Sequence, residues 1–216
     1  MNNSLTIIGA GAWGSALAIA LSHKFDKIFL LAKDKASSDA LGKQHSALSK
    51  PYNQNIFIGY SYEVINHSKA VLIATPSSAF GSVLKNIKDN LNDIPIAWVT
   101  KGFDPETANL LHETFNHYLT GHHPCVISGP TFAAEIVEEK PAAIVVASKD
   151  KKTRDYWSDI IQTETLRAYT NSDIVGVQVG GSVKNILAIA AGIASGLGFG
   201  ANTQAALITR GLAEMT

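Results

Sequence analysis

An apolar run at residues 5–8 leads directly into a turn with three glycines, and small apolar residues follow the turn at helical spacing. The glycines are Gly9, Gly11 and Gly14, the G-x-G-x-x-G pattern of dinucleotide sites in its required setting between a strand and a helix. We expect Gly9 to form the tight turn, Gly11 to admit a pyrophosphate and Gly14 to let the helix pack closely on the sheet. The free N–H groups and partial positive charge at the helix start favour phosphate there.

Strand-like and helix-like segments alternate along the chain as far as residue 170. This alternation predicts an α/β fold, a Rossmann-like doubly wound, mostly parallel sheet with helices on both faces. The predicted strands after the first are residues 27–32, 70–74, 95–99, 124–128, 142–148 and 165–170; the predicted helices are residues 35–47, 106–118 and 151–162, with a further helix start at 75–78 and an irregular connection at 51–60.

Beyond Asn171 the pattern is helical only. Asp173 can cap a long apolar helix that contains Gly180 and Gly181. A glycine in a helix interior costs about 1 kcal/mol relative to alanine. The pair therefore suggests a close approach to the backbone, by either the other domain or the substrate.

The end of the chain is expected to hold a second helix. The glycines at 196, 198 and 200 break the first helix, and Asn202-Thr203 can cap a helix over residues 204–215. We therefore predict a dinucleotide-binding Rossmann domain over residues 1–171 and the N-terminal part of a helical substrate domain over residues 172–216. Two helices with exposed apolar faces make a poor complete domain, so we expect a truncated protein or one completed by a second chain, such as a homodimer.

Composition narrows the class of protein. Lys plus Arg equals Asp plus Glu at 18 each, which argues against a general nucleic-acid or membrane-surface binder. A single cysteine, Cys125, fits a reducing compartment, and the N-terminus lacks a basic signal-peptide region, so we expect a cytoplasmic protein. The apolar stretch at 186–199 is interpreted as a buried helix, without membrane insertion. Four histidines between 112 and 123 lack the spacing of a metal site, and no metal is expected.

The ribose-reading position is ambiguous. Lys33 and Asp34 lie about 20 residues beyond the glycine turn, where that residue belongs. Asp34 could accept a hydrogen bond from a ribose 2′-hydroxyl, which favours NAD, whereas Lys33 could bind a 2′-phosphate, which favours NADP. Asp34 could equally cap the next helix, and the two roles are compatible.

Three further positions lie where open α/β sheets bind ligands, at the carboxyl ends of strands. Lys101 precedes Gly102 at the end of a predicted strand, where it is either a ligand-binding group or a solvated loop lysine. Thr131 follows another strand and could face the ligand or cap the following helix. Phe80 could line the cofactor site or pack within its helix.

Taken together, the segments resemble the bacterial NAD(P)-dependent glycerol-3-phosphate dehydrogenases. The matching segments occur in order over nearly the whole chain: Gly9 to Gly14, Lys101-Gly102-Phe103, Ser128 to Glu135, Gly180 to Asn185, and Asn202 to Met215. The family's helical domain continues further and supplies an Asp and an Arg-Asn pair for the substrate phosphate, which have no match here. Gln178 stands where relatives often have an acidic residue.

The resemblance implies reversible reduction of dihydroxyacetone phosphate to sn-glycerol 3-phosphate, which feeds glycerophospholipid synthesis. It implies NAD or NADP as cofactor and a phosphorylated small molecule as substrate. The cofactor-contacting residues would be Ala12, Trp13, Lys33, Lys101 and Ala133, with Phe80 a further candidate beside the glycines. The substrate-contacting residues would be Lys101, Gly129, Thr131, Lys184 and Asn185, with Lys184 as the family's proton acceptor.

The chemistry needs a proton donor for the nascent alkoxide and positive charge beside it. An ordinary lysine has a pKa of about 10.4, and burial or a second cation lowers it. We expect Lys101 and Lys184 to meet between the sheet and the helices, where Lys184 exchanges the proton while Lys101 orients the substrate oxygen and eases that exchange. The alternatives are a two-domain dehydrogenase of a hydroxy acid or sugar acid, or a nucleotide-binding module without turnover.

Overall fold

A computed structural model describes residues 3–91 and 93–214 of the chain. The eight strands are β1 Ser4–Ile8, β2 Lys27–Leu31, β3 Ile56–Gly59, β4 Ala70–Ile73, β5 Ile96–Trp98, β6 Val126–Ser128, β7 Ala142–Ala147 and β8 Leu166–Asn171. The α-helices are α1 Ala12–Leu21, α2 Lys35–Leu41, α3 Ser77–Ile87, α4 Leu111–Tyr118, α5 Ala133–Val137, α6 Lys151–Ile161, α7 Ile174–Gly196 and α8 Ala201–Glu214.

The strands form one sheet in the order β3-β2-β1-β4-β5-β6-β7-β8. All neighbouring pairs are parallel except β6 and β7, which are antiparallel. The chain winds outward from β1 to β3 and then returns to place β4 on the other side of β1. This reversal makes the carboxyl ends of β1 and β4 the switch point at which doubly wound sheets bind ligands. The predicted fold class is confirmed.

Side chains alternate between two buried clusters, one on each face of the sheet. Leu5 and Ile7 of β1 pack with Leu17 of α1 and Trp157 of α6. Ile73 of β4 belongs to the other cluster, with residues of α3, α4 and the start of α7. Because both faces are covered, the central strands are continuous apolar runs rather than alternating ones.

Several predicted elements were wrong in extent. The helix predicted over 35–47 ends at Leu41, because the backbone turns at Gly42 with φ +57°. The predicted irregular connection at 51–60 contains the edge strand β3. The helix predicted from 106 begins at Leu111, after a turn with Ala108 at φ +58°.

The helical segment also differs from expectation. Asp173 caps α7 as predicted, accepting from the Gly176 N–H at 2.8 Å. The helix α8 begins at Ala201, so Asn202-Thr203 lies within its first turn and is not its cap. Met215, the predicted end of this helix, lies outside the described residues.

Helix α7 is not the buried helix that the sequence suggested. Its outer face exposes Ile186, Ile189 and Ile193, and α8 exposes Leu212. By length and composition alone α7 could cross a membrane. Its first half packs on the sheet, since Ile174 is buried in the core. The absence of membrane insertion and the domain boundary at 171/172 stay predictions.

Candidate functional site

The glycine turn after β1 has the geometry that its sequence predicted. Gly9 has φ +111°, and a Cβ there would lie 2.6 Å from the Ala74 carbonyl oxygen. A Cβ on Gly14 would collide with the Gly9 carbonyl, so this glycine lets α1 pack against the turn. A Cβ on Gly11 would meet nothing within 4 Å. The space beside Gly11 and the unpaired N–H groups at the start of α1 suit a phosphate group.

A cleft of about 950 Å³ opens at this turn, across the carboxyl ends of β1 and β4. Its volume is at the upper end for small-molecule sites, which span about 300–1,000 Å³. The predicted site residues among its lining are Gly9, Gly11, Ala12, Trp13, Lys33, Lys101, Thr131 and Ala133. Sequence reasoning did not name Tyr62, Thr75 and Phe132 as site residues, although they also line it; Thr75 lies in the predicted helix start and Phe132 in a matched family segment, whereas Tyr62 carried no recognisable pattern.

Two threonine hydroxyls at the cleft lack partners. The Oγ1 atoms of Thr75 and Thr131 are shielded and have no hydrogen-bond partner among the described residues. Thr131 does not cap α5, whose N-cap residue is Phe132. An unsatisfied buried hydroxyl is costly, so both atoms are available to a polar ligand in the cleft. Together with the open turn, they fit a dinucleotide.

The ribose-reading position separates the two candidate roles. The Asp34 carboxylate accepts from the Ser37 N–H at 2.7 Å and caps α2, and this hydrogen bond lowers the pKa of Asp34. Lys33 lines the cleft together with Ser37, and its side chain is 82% exposed. The capping role predicted for Asp34 is confirmed, and the Lys33 ammonium group is exposed, 3.8 Å from the Asp34 carboxylate.

The structure does not bring Phe80 to the cleft. The ring is fully buried and packs edge-on against Trp98, with centroids 5.4 Å apart. Helical periodicity places Ala79 and Val83 of the same helix on the cleft side. Of the two roles that the sequence left open for Phe80, packing is the one observed, and contact with the cofactor stays a prediction.

The two predicted lysines meet at one carbonyl oxygen. The Lys101 Nζ, beyond the end of β5, donates to the Gly129 oxygen at 3.3 Å. The Lys184 Nζ, on α7, donates to the same oxygen at 3.2 Å. Among residues 3–91 and 93–214, neither ammonium group has a carboxylate within salt-bridge distance. The paired, uncompensated charges make this point attractive to an anion.

Burial and the neighbouring cation both act on Lys101. Desolvation, followed by the proximity of the Lys184 ammonium group, lowers the pKa of Lys101 to about 8. The expected effect of Lys101 on the proton exchange at Lys184 stays a prediction. Burial lowers the pKa of Lys101 because it removes water from around the charged amine. The sequence alone could not predict this effect, because it does not show how deeply a side chain is buried.

The glycine pair of α7 is explained in part. A Cβ on Gly181 would lie 2.6 Å from the Ser128 Oγ, so this glycine lets α7 approach the end of β6. Gly180 faces open space. The close neighbour at Gly181 is thus the Rossmann domain, one of the two alternatives. Asn185 is exposed beside Lys184.

Comparisons with known proteins agree with this geometry. Residues 4–154 match the family model described as NAD-dependent glycerol-3-phosphate dehydrogenase N-terminus, and residues 173–216 match the corresponding C-terminus. The chain belongs to the NAD-dependent glycerol-3-phosphate dehydrogenase family. The resemblance inferred from the motifs is confirmed.

Individual members of the family are similar over the whole chain. The glycerol-3-phosphate dehydrogenase, NAD(P)+, of Vesicomyosocius okutanii is 55% identical over 100% of this chain and 66% of the relative. That of Aliivibrio fischeri is 40% identical over 99% of this chain and 64% of the relative. The crystal structure of the Coxiella burnetii enzyme superposes with a TM-score of 0.91 at 36% identity, covering 99% of this chain and 67% of that chain. The chain thus spans slightly less than two thirds of the length of these curated relatives.

The histidines and Cys125 are not among the residues that line the cleft. No group of three or more His, Cys, Asp or Glu side chains able to hold a metal occurs within residues 3–91 and 93–214. Cys125 is buried, and burial raises the pKa of its thiol. It is therefore a packing residue rather than a nucleophile.

Proposed function

We propose that the protein carrying this chain interconverts dihydroxyacetone phosphate and sn-glycerol 3-phosphate with NADPH or NADH. The observation that carries the proposal is the convergence of Lys101 and Lys184 on the Gly129 oxygen. Lys101 also lines the dinucleotide cleft, so the paired charges lie beside the cofactor end of the site. Family membership supports the same reaction.

The chain supplies the cofactor's contacts from its N-terminal half. The N–H groups of Ala12 and Trp13 would bind the pyrophosphate at the glycine turn, and Lys33 would bind a 2′-phosphate. When bound, the reduced nicotinamide supplies the hydride that the carbonyl carbon of the substrate accepts. Because the exposed cation at the ribose position is Lys33, we propose a preference for NADPH over NADH.

The lysines supply the proton and the charge. During reduction, Lys184 gives a proton to the substrate oxygen as the carbon receives the hydride, and in the reverse direction it takes that proton back. Lys101, with its pKa lowered to about 8, stays mostly protonated at neutral pH and donates to the same oxygen. Acid–base help of this kind contributes roughly 10²–10⁴-fold. The Thr131 hydroxyl, which has no partner among the described residues, would bind the substrate.

The test is a spectrophotometric assay on the protein produced from the complete reading frame. We expect NADPH absorbance to fall when dihydroxyacetone phosphate is added, and not with a panel of hydroxy acids and sugar acids. Turnover of a hydroxy acid or sugar acid instead would identify a different dehydrogenase. A fluorescence change on adding NADPH, without any loss of absorbance with substrate, would reduce the function to nucleotide binding.

We propose the cellular setting on the same basis. The product is the backbone of glycerophospholipids, and the single cysteine and balanced charge are consistent with a cytoplasmic enzyme. The exposed apolar residues of α7 and α8 leave room for a homodimer. Sedimentation velocity on the same preparation would test that state.

A further inference from the structure

Helix α7 holds the segment that carries Lys101 at both of its ends. At one end the Gly102 N–H donates to the Ser182 Oγ at 3.1 Å. At the other end the His112 N–H donates to the Gln178 Oε1 at 3.1 Å. Gln178 and Ser182 are four residues apart and therefore lie on one face of the helix. The same helix carries Lys184.

The segment between these two ends is internally braced. Asp104 accepts hydrogen bonds from the N–H groups of Glu106 and Thr107 at 3.0 and 3.2 Å, and from the Thr114 Oγ1 at 2.8 Å. Gly102 has φ +109°, so the backbone next to Lys101 holds a conformation that only glycine adopts readily. Fixing the ends of such a segment fixes the position of Lys101.

Gln178 is buried, and its polar groups are all used. Its Nε2 donates to the Ile174 oxygen at 2.8 Å and contacts the His112 Nδ1 at 3.0 Å. Its backbone oxygen accepts from the Ser182 hydroxyl at 2.8 Å, and that hydroxyl in turn accepts from Gly102. Gln178 therefore links His112, through its side chain, to Ser182, through its backbone oxygen, and Ser182 bonds the residue beside Lys101. Removing one member leaves buried groups unpaired.

We propose that Gln178 and Ser182 are positioning residues, a two-point clamp that sets the distance between Lys101 and Lys184 for the reaction. The kinetic part of this inference rests on the proposed function. Neither residue contacts the reacting atoms; both act through Lys101. The clamp matters because the influence of one ammonium group on another falls with distance, and an amine freed into water regains its ordinary pKa.

The test uses Gln178→Met, which keeps the length of the side chain, and Ser182→Ala. Ser195→Ala is the matched control, since Ser195 is exposed on the same helix. Ser182→Thr keeps the hydroxyl and should restore wild-type behaviour. The first readout is NMR titration of protein labelled at lysine Cε, with the Lys101 signal assigned by Lys101→Arg. This readout needs no turnover.

In the wild type we expect Lys101 to titrate near pH 8. In Gln178→Met and Ser182→Ala the midpoint should move toward 10.5, and in Ser195→Ala it should not move. The second readout is kinetic: kcat should fall by up to about 10²-fold, as for a small misplacement of a catalytic group, while the KM for NADPH is unchanged.

The inference is overturned if folded Ser182→Ala and Gln178→Met proteins keep the wild-type midpoint and kcat. If Gln178→Met does not fold, Ser182→Ala, which removes one hydroxyl, decides the matter alone. A shifted midpoint in proteins that show no substrate-dependent NADPH oxidation, wild type included, would support the clamp and refute the proposed function. An unshifted midpoint in both variants, measured on a preparation whose wild type reduces dihydroxyacetone phosphate, would refute the clamp and support the proposed function.

Discussion

The glycine turn and the lysine pair are two halves of one site, built in different ways. The turn uses the backbone of six consecutive residues, from Gly9 to Gly14, and its shape depends on the absence of a Cβ atom at its glycines. The lysine pair uses the side chains of Lys101 and Lys184 and the backbone oxygen of Gly129, which are distant in the sequence, and it depends on how the helical segment packs on the sheet. Substitutions in the turn should therefore change stability and cofactor binding, whereas substitutions of the lysines should change kcat.

The largest expected effect separates the two halves directly. Lys184→Met should lower kcat by roughly 10²–10⁴-fold, because the proton donor is lost, while the Kd for NADPH stays the same. Steady-state assays and fluorescence titration measure the two quantities. Lys85→Met, at an exposed lysine of α3, is the control. Unchanged turnover in Lys184→Met would remove this residue from its role.

The second effect belongs to the turn. Gly14→Ala places a Cβ against the Gly9 carbonyl and should lower the free energy of unfolding by about 1–3 kcal/mol, the usual cost of overpacking. Gly11→Ala meets nothing within 4 Å and should keep wild-type stability while weakening NADPH binding. Thermal unfolding and fluorescence titration measure these. Equal melting temperatures for Gly14→Ala and Gly11→Ala would refute the steric assignment.

The third effect concerns cofactor choice. Lys33→Met should weaken NADPH binding by about tenfold or more, the value of a hydrogen bond to a charged group, and leave NADH binding unchanged. The ratio of the two Kd values is the measurement. Lys35→Met, two residues further along, is the matched control. Equal losses for both cofactors would mean that Lys33 does not contact the 2′-phosphate.

The smallest effect is on stability as a function of pH. The pKa of Lys101 is lowered in the folded protein to about 8 from 10.5, so between these values the unfolded chain binds more protons. Folding stability should therefore rise with pH across this window, and the cost of the charged, half-buried amine should be fully present below pH 8. Urea titrations of the wild type and Lys101→Met should show the difference between them changing in favour of the wild type from pH 8 to 10.5. A constant difference would contradict the lowered pKa.

The sequence predicted the glycine turn better than it predicted the features that depend on packing. The glycine turn is local, so its motif predicted both its conformation and its helix. The strand β3 was missed because Ile56–Gly59 is a short edge strand after a polar stretch, and edge strands lack the long apolar run of central ones. Helix α2 was predicted too long because Gly42, whose positive φ ends the helix, was not used as an end signal.

The lysine site shows the limit more sharply. The resemblance named Lys101 and Lys184, but the shared Gly129 oxygen and the lowered pKa of Lys101 depend on packing and burial. The contact of Gln178 with His112 joins residues 66 positions apart, and no local pattern indicates it. For Phe80 the sequence left two roles open, because the apolar pattern of a helix after a strand does not indicate whether a side chain faces the cleft or the core.

The most direct test of the account is a crystal structure of the protein with NADPH and a substrate analogue bound. We expect the pyrophosphate on the N–H groups that follow Gly11 and the nicotinamide ring beside Lys101, with the Lys184 Nζ within hydrogen-bond distance of the substrate oxygen. A nicotinamide bound away from this edge of the sheet, or a Lys184 side chain that faces bulk water in the complex, would contradict it.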